Sequence, residues 1–136
     1  MKSVFVDSSG FFAHFVATDA FHEKATSLFQ QAKTERWRLV TTNAVIFEAY
    51  ALLLYRTRNG RTNAFALLTN IERGLCAVER VSVQDEARAI ALVRAHEDKA
   101  YSLCDASSFI VMERLNIREA IAFDRHFREY GRFTIL

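Results

Sequence analysis

Short apolar runs and longer amphipathic segments alternate along this chain. The short runs are rich in β-branched and aromatic residues, which is typical of strands, and they cover residues 3–6, 39–41, 76–81, 120–123 and 133–135. The segments between them predict helices from residue 8 onward and over residues 20–33, 43–55, 63–73, 82–96, 104–115 and 125–130. This alternation predicts an α/β fold with a mostly parallel sheet that is covered on both faces.

Capping residues mark where several of these helices start. Thr42 or Asn43 can cap the third helix, and Thr62 can cap the fourth, just after an Asn-Gly turn signal. The residues from Ser82 to Asp85 resemble a capping box in which aspartate replaces the usual glutamate.

Composition points to one ordinary globular domain over residues 1–136. The chain is 51% hydrophobic and 25% charged, which excludes disordered, collagen-like and coiled-coil proteins. No linker or low-complexity tract divides it. A chain of 136 residues can bury enough surface to fold without a disulfide or a structural metal.

The cysteines and the longest apolar stretch indicate where the protein works. Cys76 and Cys104 have neither metal-binding nor disulfide-framework spacing, so we interpret them as free thiols in a reducing compartment. The apolar stretch over residues 39–55 carries Glu48 near its middle and is too short to cross a bilayer. We therefore expect a cytoplasmic protein that does not bind a membrane.

Two aspartates directly follow predicted strands. Asp7 comes after the first strand and Asp124 after the fourth. Because ligands of parallel α/β sheets bind outside the carboxyl ends of the strands, both side chains are expected on one side of the molecule. Either aspartate alone is explained as an ordinary helix N-cap. For the two together, a functional site is about as plausible as a pair of N-caps.

Glu48 and Asp105 are two further acids in unusual places. Glu48 is the only charged residue between Asn43 and Tyr55, and its helical neighbours are apolar, so it should lie on or beside the buried stripe. A buried carboxylate is costly unless an arginine or a metal balances it, and an ion pair with an arginine remains an open alternative. Asp105 starts a helix, and Ser108 lies one turn later on the same face.

The four acids Asp7, Glu48, Asp105 and Asp124 all fall near one rim of the predicted sheet. Like charges cannot crowd together without strongly raised pKa values, and a hard divalent cation removes that conflict. Oxygen ligands suit Mg²⁺ or Mn²⁺, whereas the cysteines and histidines lack zinc spacing. A carboxylate site of this kind is suited to phosphodiester hydrolysis, since the metal acidifies an attacking water and neutralises charge on the phosphate.

The ordered set of these motifs resembles a PIN domain, and especially the VapC-type toxins of bacterial toxin–antitoxin pairs. The resemblance spans the chain from Lys2 onward and rests on residues 6–9, Glu48, residues 102–109 and residues 122–127. It implies a three-layer α/β/α sandwich with a five-stranded parallel sheet. It also implies an endoribonuclease that uses Mg²⁺ or Mn²⁺ and leaves a 3′-hydroxyl and a 5′-phosphate.

The resemblance also assigns roles to individual residues. The family's four acids fall on Asp7, Glu48, Asp105 and Asp124, and its auxiliary hydroxyl falls on Ser108. We expect Asp7 and Asp105 to bind the principal metal, with Asp124 and Glu48 completing the site directly or through water. Where many relatives carry threonine before the third acid, this chain carries a cysteine, residue 104.

Two groups of basic residues are candidates for contacts with the RNA backbone. They are Arg56, Arg58 and Arg61 after the Glu48 helix, and Arg125, His126 and Arg128 after the fourth acid. A solvated basic surface explains each group equally well, and we expect His126 to be an exposed surface side chain.

The implied partners are an RNA substrate, a cognate antitoxin protein and a second copy of the chain in a homodimer. A PIN-like protein that binds RNA or a partner without cutting is the main alternative. A phosphoacceptor receiver domain is a weaker one, because Ser8 and Ser9 follow Asp7 where such domains have further acids, and no lysine follows a late strand.

Overall fold

Five strands form one sheet at the centre of the molecule. The computed structural model describes all 136 residues. The strands are β1 (Ser3–Val6), β2 (Arg38–Thr42), β3 (Ala77–Glu79), β4 (Glu119–Ile121) and β5 (Thr134–Ile135). Their order in space is β3-β2-β1-β4-β5, and every neighbouring pair is parallel. The predicted α/β class and five-stranded sheet are confirmed, and the sheet is wholly rather than mostly parallel.

Seven helices cover the two faces of this sheet. They are α1 (Ser8–Phe15), α2 (His22–Glu35), α3 (Asn43–Arg56), α4 (Gly60–Glu72), α5 (Val83–Ala95), α6 (Leu103–Arg114) and α7 (Arg125–Tyr130). The first four pack mainly on one another, and so do the last three. Right-handed crossovers place the two groups on opposite faces, because the chain moves outward from β1 to β3 and then crosses back to β4. The result is a three-layer α/β/α sandwich.

The strand order places a crevice between the carboxyl ends of β1 and β4. The chain leaves β1 in one direction toward β2 and β3, and later returns to β4 on the other side of β1. Such a reversal separates the connecting loops and opens a binding crevice at that edge. Asp7 follows β1 directly, and Asp124 follows β4 by three residues, so both lie at this crevice.

Close packing holds α1 against the end of β4. A Cβ atom on Gly10 would lie 2.7 Å from the carbonyl oxygen of Ile121, a distance that side-chain carbons do not adopt. The backbone N–H of Asp7 donates to that same carbonyl at 3.1 Å. Glycine at this position therefore allows the first helix, and the aspartate that precedes it, to approach the fourth strand.

Helix α4 starts earlier than the capping signal predicts. It begins at Gly60 after Asn59, with no side-chain cap, so the prediction of a Thr62 cap is wrong. A Cβ atom on Gly60 would lie 2.1 Å from the carbonyl oxygen of Leu54. The absence of a side chain lets the new helix begin against the end of α3, before a capping residue is reached.

Strands β3 and β4 are shorter than the apolar runs that predict them. The chain leaves β3 early, and the N–H of Val81 then bonds to the side-chain oxygen of Asn43 at 2.9 Å. After β4, the N–H of Phe123 bonds to the Ser9 hydroxyl at 2.9 Å rather than to a strand. Side chains therefore satisfy backbone groups that a longer ladder would otherwise pair.

None of the helices combines the length and the apolar character that crossing a membrane would require.

Candidate functional site

Asp7 lies buried at the point where β1 passes into α1. Its side chain is 1% exposed and caps α1, with one oxygen, Oδ2, accepting from the Ser9 backbone N–H at 3.2 Å and from the Ser9 hydroxyl at 2.7 Å. The other oxygen, Oδ1, is buried and has no hydrogen-bond partner. Burial, together with the negative charge of Asp105, raises the pKa of Asp7 to about 7. This carboxyl group is therefore held where its charge is costly.

Asp105 lies in the first turn of α6. Ser102 and Asp105 form a capping box, in which the Asp105 N–H donates to the Ser102 hydroxyl at 2.9 Å and the Ser102 N–H donates to Asp105 Oδ2 at 3.1 Å. The carboxylate is 4% exposed. The helix begins at Leu103, two residues before the start predicted at Asp105, and the Asp105 carboxylate lies close enough to Asp7 for its charge to raise the pKa of Asp7.

Asp124 caps α7 and meets Asp105 through a histidine. The Asp124 carboxylate accepts from the His126 backbone N–H at 2.8 Å. The His126 ring nitrogen Nδ1 lies 2.8 Å from Asp105 Oδ2 and 3.3 Å from Asp124 Oδ1. Because both neighbours are carboxylates, Nδ1 carries the proton and donates it. The prediction that His126 is a surface side chain is wrong.

Glu48 stands on the edge of the buried stripe of α3. It is half-buried, between buried Val45 on one side and exposed Ala51 on the other. The Ser8 hydroxyl donates a hydrogen bond to Glu48 Oε1. No arginine lies within ion-pair distance of Glu48, so the alternative of a structural ion pair is not what the structure contains.

Ser9 connects two of the predicted acids. Its hydroxyl donates to Asp7 and accepts from the backbone N–H groups of Phe123 at 2.9 Å and of Asp124 at 3.3 Å. One side chain thus joins the ends of β1 and β4 across 115 residues of sequence. The serine that directly follows the Asp7-Ser8 pair is the only sequence signal for this contact, and its partners after β4 are not visible from local spacing.

Cys104 and Ser108 flank the third acid on α6. Burial raises the pKa of the Cys104 thiol, and the negative charges of Glu48 and Asp7 raise it further, so the sulfur stays protonated. The hydroxyl of Ser108 is fully buried and has no hydrogen-bond partner. The structure therefore places Ser108 in the interior without a hydrogen bond to any of the four acids.

The donor groups of this site fit a hard divalent cation. Carboxylate oxygens of Asp105 and Asp124 lie, together with a ring nitrogen of His126, within 4.8 Å of one another. Asp7 adds a buried oxygen with no partner, which is the kind of atom a cation would satisfy. No lysine or arginine pairs with Asp7, Asp105 or Asp124. The charge of this cluster is therefore left for another cation to balance.

A cleft of about 420 Å³ opens beside these acids. Its polar wall contains Ser8, Ser9, Glu48 and Asp124. Its other lining residues are Phe12, Asp19, Phe21, Leu52, Arg56 and Phe123. The cleft thus joins carboxylates, one guanidinium and several aromatic rings in a single depression.

The sequence from residue 4 to residue 133 matches the model of the PIN domain. The chain belongs to the PIN domain family. The four motifs that suggested the resemblance lie within or at the edges of the matched region, and the receiver-domain alternative is excluded.

Comparisons with individual proteins support the assignment to the PIN domain family. This PIN domain is 33% identical over 128 residues to the 23S rRNA-specific endonuclease VapC20 of Mycobacterium tuberculosis, in two strains, and the alignment covers 94% of each chain. The crystal structure of that VapC20, described as a sarcin-ricin loop cleaving toxin, superposes with a TM-score of 0.85 at 32% identity and covers 94% of this chain and 95% of the other. VapBC2 from Rickettsia felis matches with a TM-score of 0.66 at 7% identity, over 98% and 97% of the two chains, which reflects a shared fold.

Proposed function

We propose that this PIN domain is a metal-dependent endoribonuclease. The observation that carries the proposal is the meeting of Asp7, Asp105 and Asp124 at one edge of the sheet without a lysine or arginine partner. Buried acids of one charge are stable together only when protonated or when a cation joins them. The sequence identity of 33% to a 23S rRNA-specific endonuclease, over 94% of this chain, supports the same activity.

The residues that would hold the metal are Asp7, Asp105 and Asp124, with Glu48 completing the site directly or through water. We infer Mg²⁺ or Mn²⁺, since carboxylate oxygens are the ligands that these ions favour. When bound, the ion supplies a more acidic water and neutralises negative charge on the phosphate and on the leaving oxygen. His126 keeps the carboxylates of Asp105 and Asp124 together through its Nδ1 proton.

The chain's own groups would position water and RNA. Ser8 holds one oxygen of Glu48, which leaves the second oxygen free to orient the attacking water. Attack of that water on phosphorus would break the bond to the 3′ oxygen, with the water's proton passing to Glu48 and the 3′ oxygen taking a proton from solvent, so the products would carry a 3′-hydroxyl and a 5′-phosphate. Ser9 fixes Asp7 relative to Asp124 while this occurs. Ser108 is assigned a supporting role through the packing of α6.

We propose 23S rRNA as the first RNA to test. The relative VapC20 is a 23S rRNA-specific endonuclease, and it is described as cleaving the sarcin-ricin loop. The wall of the cleft includes Arg56, which can contact a phosphate of a bound RNA.

The test is cleavage of purified ribosomal RNA in the presence of Mg²⁺ or Mn²⁺. We expect cleavage to stop when EDTA removes the ion and to return when the ion is restored. Products should carry 5′-phosphates, which a ligation assay detects. Asp7→Asn should be inactive under all of these conditions. Unchanged activity in excess EDTA, or an active Asp7→Asn, would contradict the mechanism.

We further propose that the protein is the cytoplasmic toxin of a toxin–antitoxin pair and forms a homodimer. The relative is described as a toxin, and three exposed apolar side chains, Phe47, Ile90 and Leu103, surround a shallow depression between α3, α5 and α6. A surface of this kind is stabilised when a protein covers it. Expression of the protein alone should arrest growth, and co-expression with the product of the adjacent reading frame should relieve that arrest. Sedimentation of the purified protein should give the mass of a dimer.

A further inference from the structure

Phe21 is an exposed aromatic ring in the wall of the acidic cleft. Half of its side chain is accessible, and it lies between α1 and the start of α2. One face of the ring stacks on Phe123, with centroids 4.9 Å apart and ring planes 13° from parallel. The opposite face is therefore the part of the ring that remains open.

Two contacts fix the position of Phe21 and leave one face of its ring open. The backbone N–H of Phe21 donates to the Asp19 carboxylate at 2.9 Å, which fixes the turn before α2. Beneath it, Phe123 is the residue just before Asp124, and the Ser9 hydroxyl accepts from its N–H at 2.9 Å. The aromatic surface is thus attached directly to the residues that set the positions of Asp7 and Asp124.

Other exposed aromatic side chains do not share this location. Phe65 on α4 is 51% exposed and Tyr55 on α3 is 81% exposed, but neither lines the cleft that contains Glu48 and Asp124. Only beside the acids does an open aromatic ring occur together with Arg56, which offers a positive charge in the same depression. An open aromatic face next to a cation is the arrangement that binds single-stranded RNA, since bases stack on the ring while the cation contacts phosphate.

We propose that Phe21 is a positioning residue on which one nucleobase next to the cleaved phosphodiester stacks. The inference rests on the proposed ribonuclease function and adds the group that places the RNA. Stacking on the open face holds the base, and the rigid link through Phe123 sets the phosphate at the acids. A nucleobase suits the site better than an apolar peptide segment, because carboxylates and a guanidinium line the same cleft as the ring.

The test compares cleavage of a hairpin RNA that carries the sarcin-ricin loop sequence by wild type, Phe21→Leu and Phe21→Trp. Phe65→Leu is the matched control, since it makes the same change at the same exposure outside the cleft. We expect Phe21→Leu to raise KM about 10-fold to 100-fold with little change in kcat, as loss of one base stack predicts. Phe21→Trp should restore KM, and Phe65→Leu should leave it unchanged.

Hairpins with one abasic nucleotide on either side of the cleaved bond provide the decisive measurement. Removal of the stacked base should weaken cleavage by wild type but have almost no further effect on Phe21→Leu, because both changes remove one interaction. Full additivity at every position would overturn the proposal, as would a wild-type KM for Phe21→Leu or a failure of tryptophan to rescue. A Phe21→Leu protein that cleaves normally but no longer binds its antitoxin would instead assign the ring to protein binding. If the wild type cleaves neither the hairpin nor ribosomal RNA, the proposed function itself fails.

Discussion

Two helices of this protein start with the same local motif and use it differently. Ser82 and Asp85 form a capping box at the start of α5, and Ser102 and Asp105 form one at the start of α6. In both, the serine hydroxyl accepts from the aspartate N–H and the carboxylate accepts from the serine N–H. Both carboxylates are almost fully buried. By local structure alone the two are equivalent.

The partners of the two carboxylates differ. Arg114, at the far end of α6, donates to both oxygens of Asp85, from Nε at 2.9 Å and from Nη2 at 2.7 Å, and also pairs with Glu79. That guanidinium holds the pKa of Asp85 below its usual value. Asp105 has no arginine, and its neighbours are other acids and His126.

The comparison shows what separates a structural carboxylate from a candidate ligand. A bidentate arginine satisfies both the charge and the lone pairs of a buried aspartate, so nothing further is needed there. Where the arginine is absent and a second buried acid is close, the cluster is left to bind a cation from solution. Helix α6 contributes to both sites: Asp105 in its first turn belongs to the acidic cluster, and Arg114 as its last residue pairs with Asp85.

The largest expected effect is on catalysis. Asp105→Asn should lower RNA cleavage by at least about 1000-fold, because a metal ligand is lost, while the amide oxygen can still cap α6. Asp85→Asn, the same change in the matching motif, should leave cleavage per folded molecule unchanged. Initial rates on ribosomal RNA, with folding checked by circular dichroism, measure both. Equal losses in the two variants would show that the caps matter and the site does not.

The next effect is on stability. Arg114→Ala should lower the free energy of unfolding by about 3 kcal/mol, because it leaves Asp85 buried without its counter-charge. Cleavage by the folded protein should not change, since Arg114 contacts none of the proposed ligands. Urea unfolding monitored by fluorescence measures the loss. A fully stable variant would mean that the ion pair is not what balances Asp85.

The contributions of Asp7 and Asp85 to folding stability should change in opposite directions as pH rises. The pKa of Asp7 rises from 3.8 when unfolded to about 7 when folded, so its ionisation costs stability as pH rises through that interval. Asp7→Asn should therefore stabilise the metal-free protein at pH 8, by at least about 2 kcal/mol, and make little difference near pH 4. Asp85, with a lowered pKa, contributes stability above pH 3.8 that is lost in acid, so Asp85→Asn should destabilise at pH 8. Thermal unfolding in EDTA at both pH values checks the signs, and a destabilised Asp7→Asn at pH 8 would contradict them.

The smallest expected effect separates the caps from the site. Ser82→Ala and Ser102→Ala should each cost about 1 kcal/mol, as the loss of an N-cap does. Only Ser102→Ala should also lower cleavage, because the Ser102 cap orients Asp105. Parallel unfolding and rate measurements make the comparison. A similar fall in activity for both variants would indicate a general effect of helix fraying.

The sequence by itself determined the features that depend on near neighbours. Apolar spacing identified the strands and the helices, since a side chain's face follows from its position within a few residues. The cap at Ser82 was visible for the same reason, and so were the aspartates at the strand ends, whereas the Ser102 cap of α6 was not identified. The α4 start was missed because the close approach of Gly60 to Leu54 has no side-chain signal.

Only the tertiary structure determined which buried acid pairs with an arginine. Arg114 reaches Asp85 across 29 residues, His126 reaches Asp105 across 21, and the Ser9 hydroxyl reaches the N–H of Phe123 across 114. These contacts depend on how the crossovers bring distant strand ends and helix ends together, which local spacing does not encode. The identity of the acids was therefore readable from the chain, whereas the absence of a lysine or arginine partner around all four of them was a property of the folded molecule.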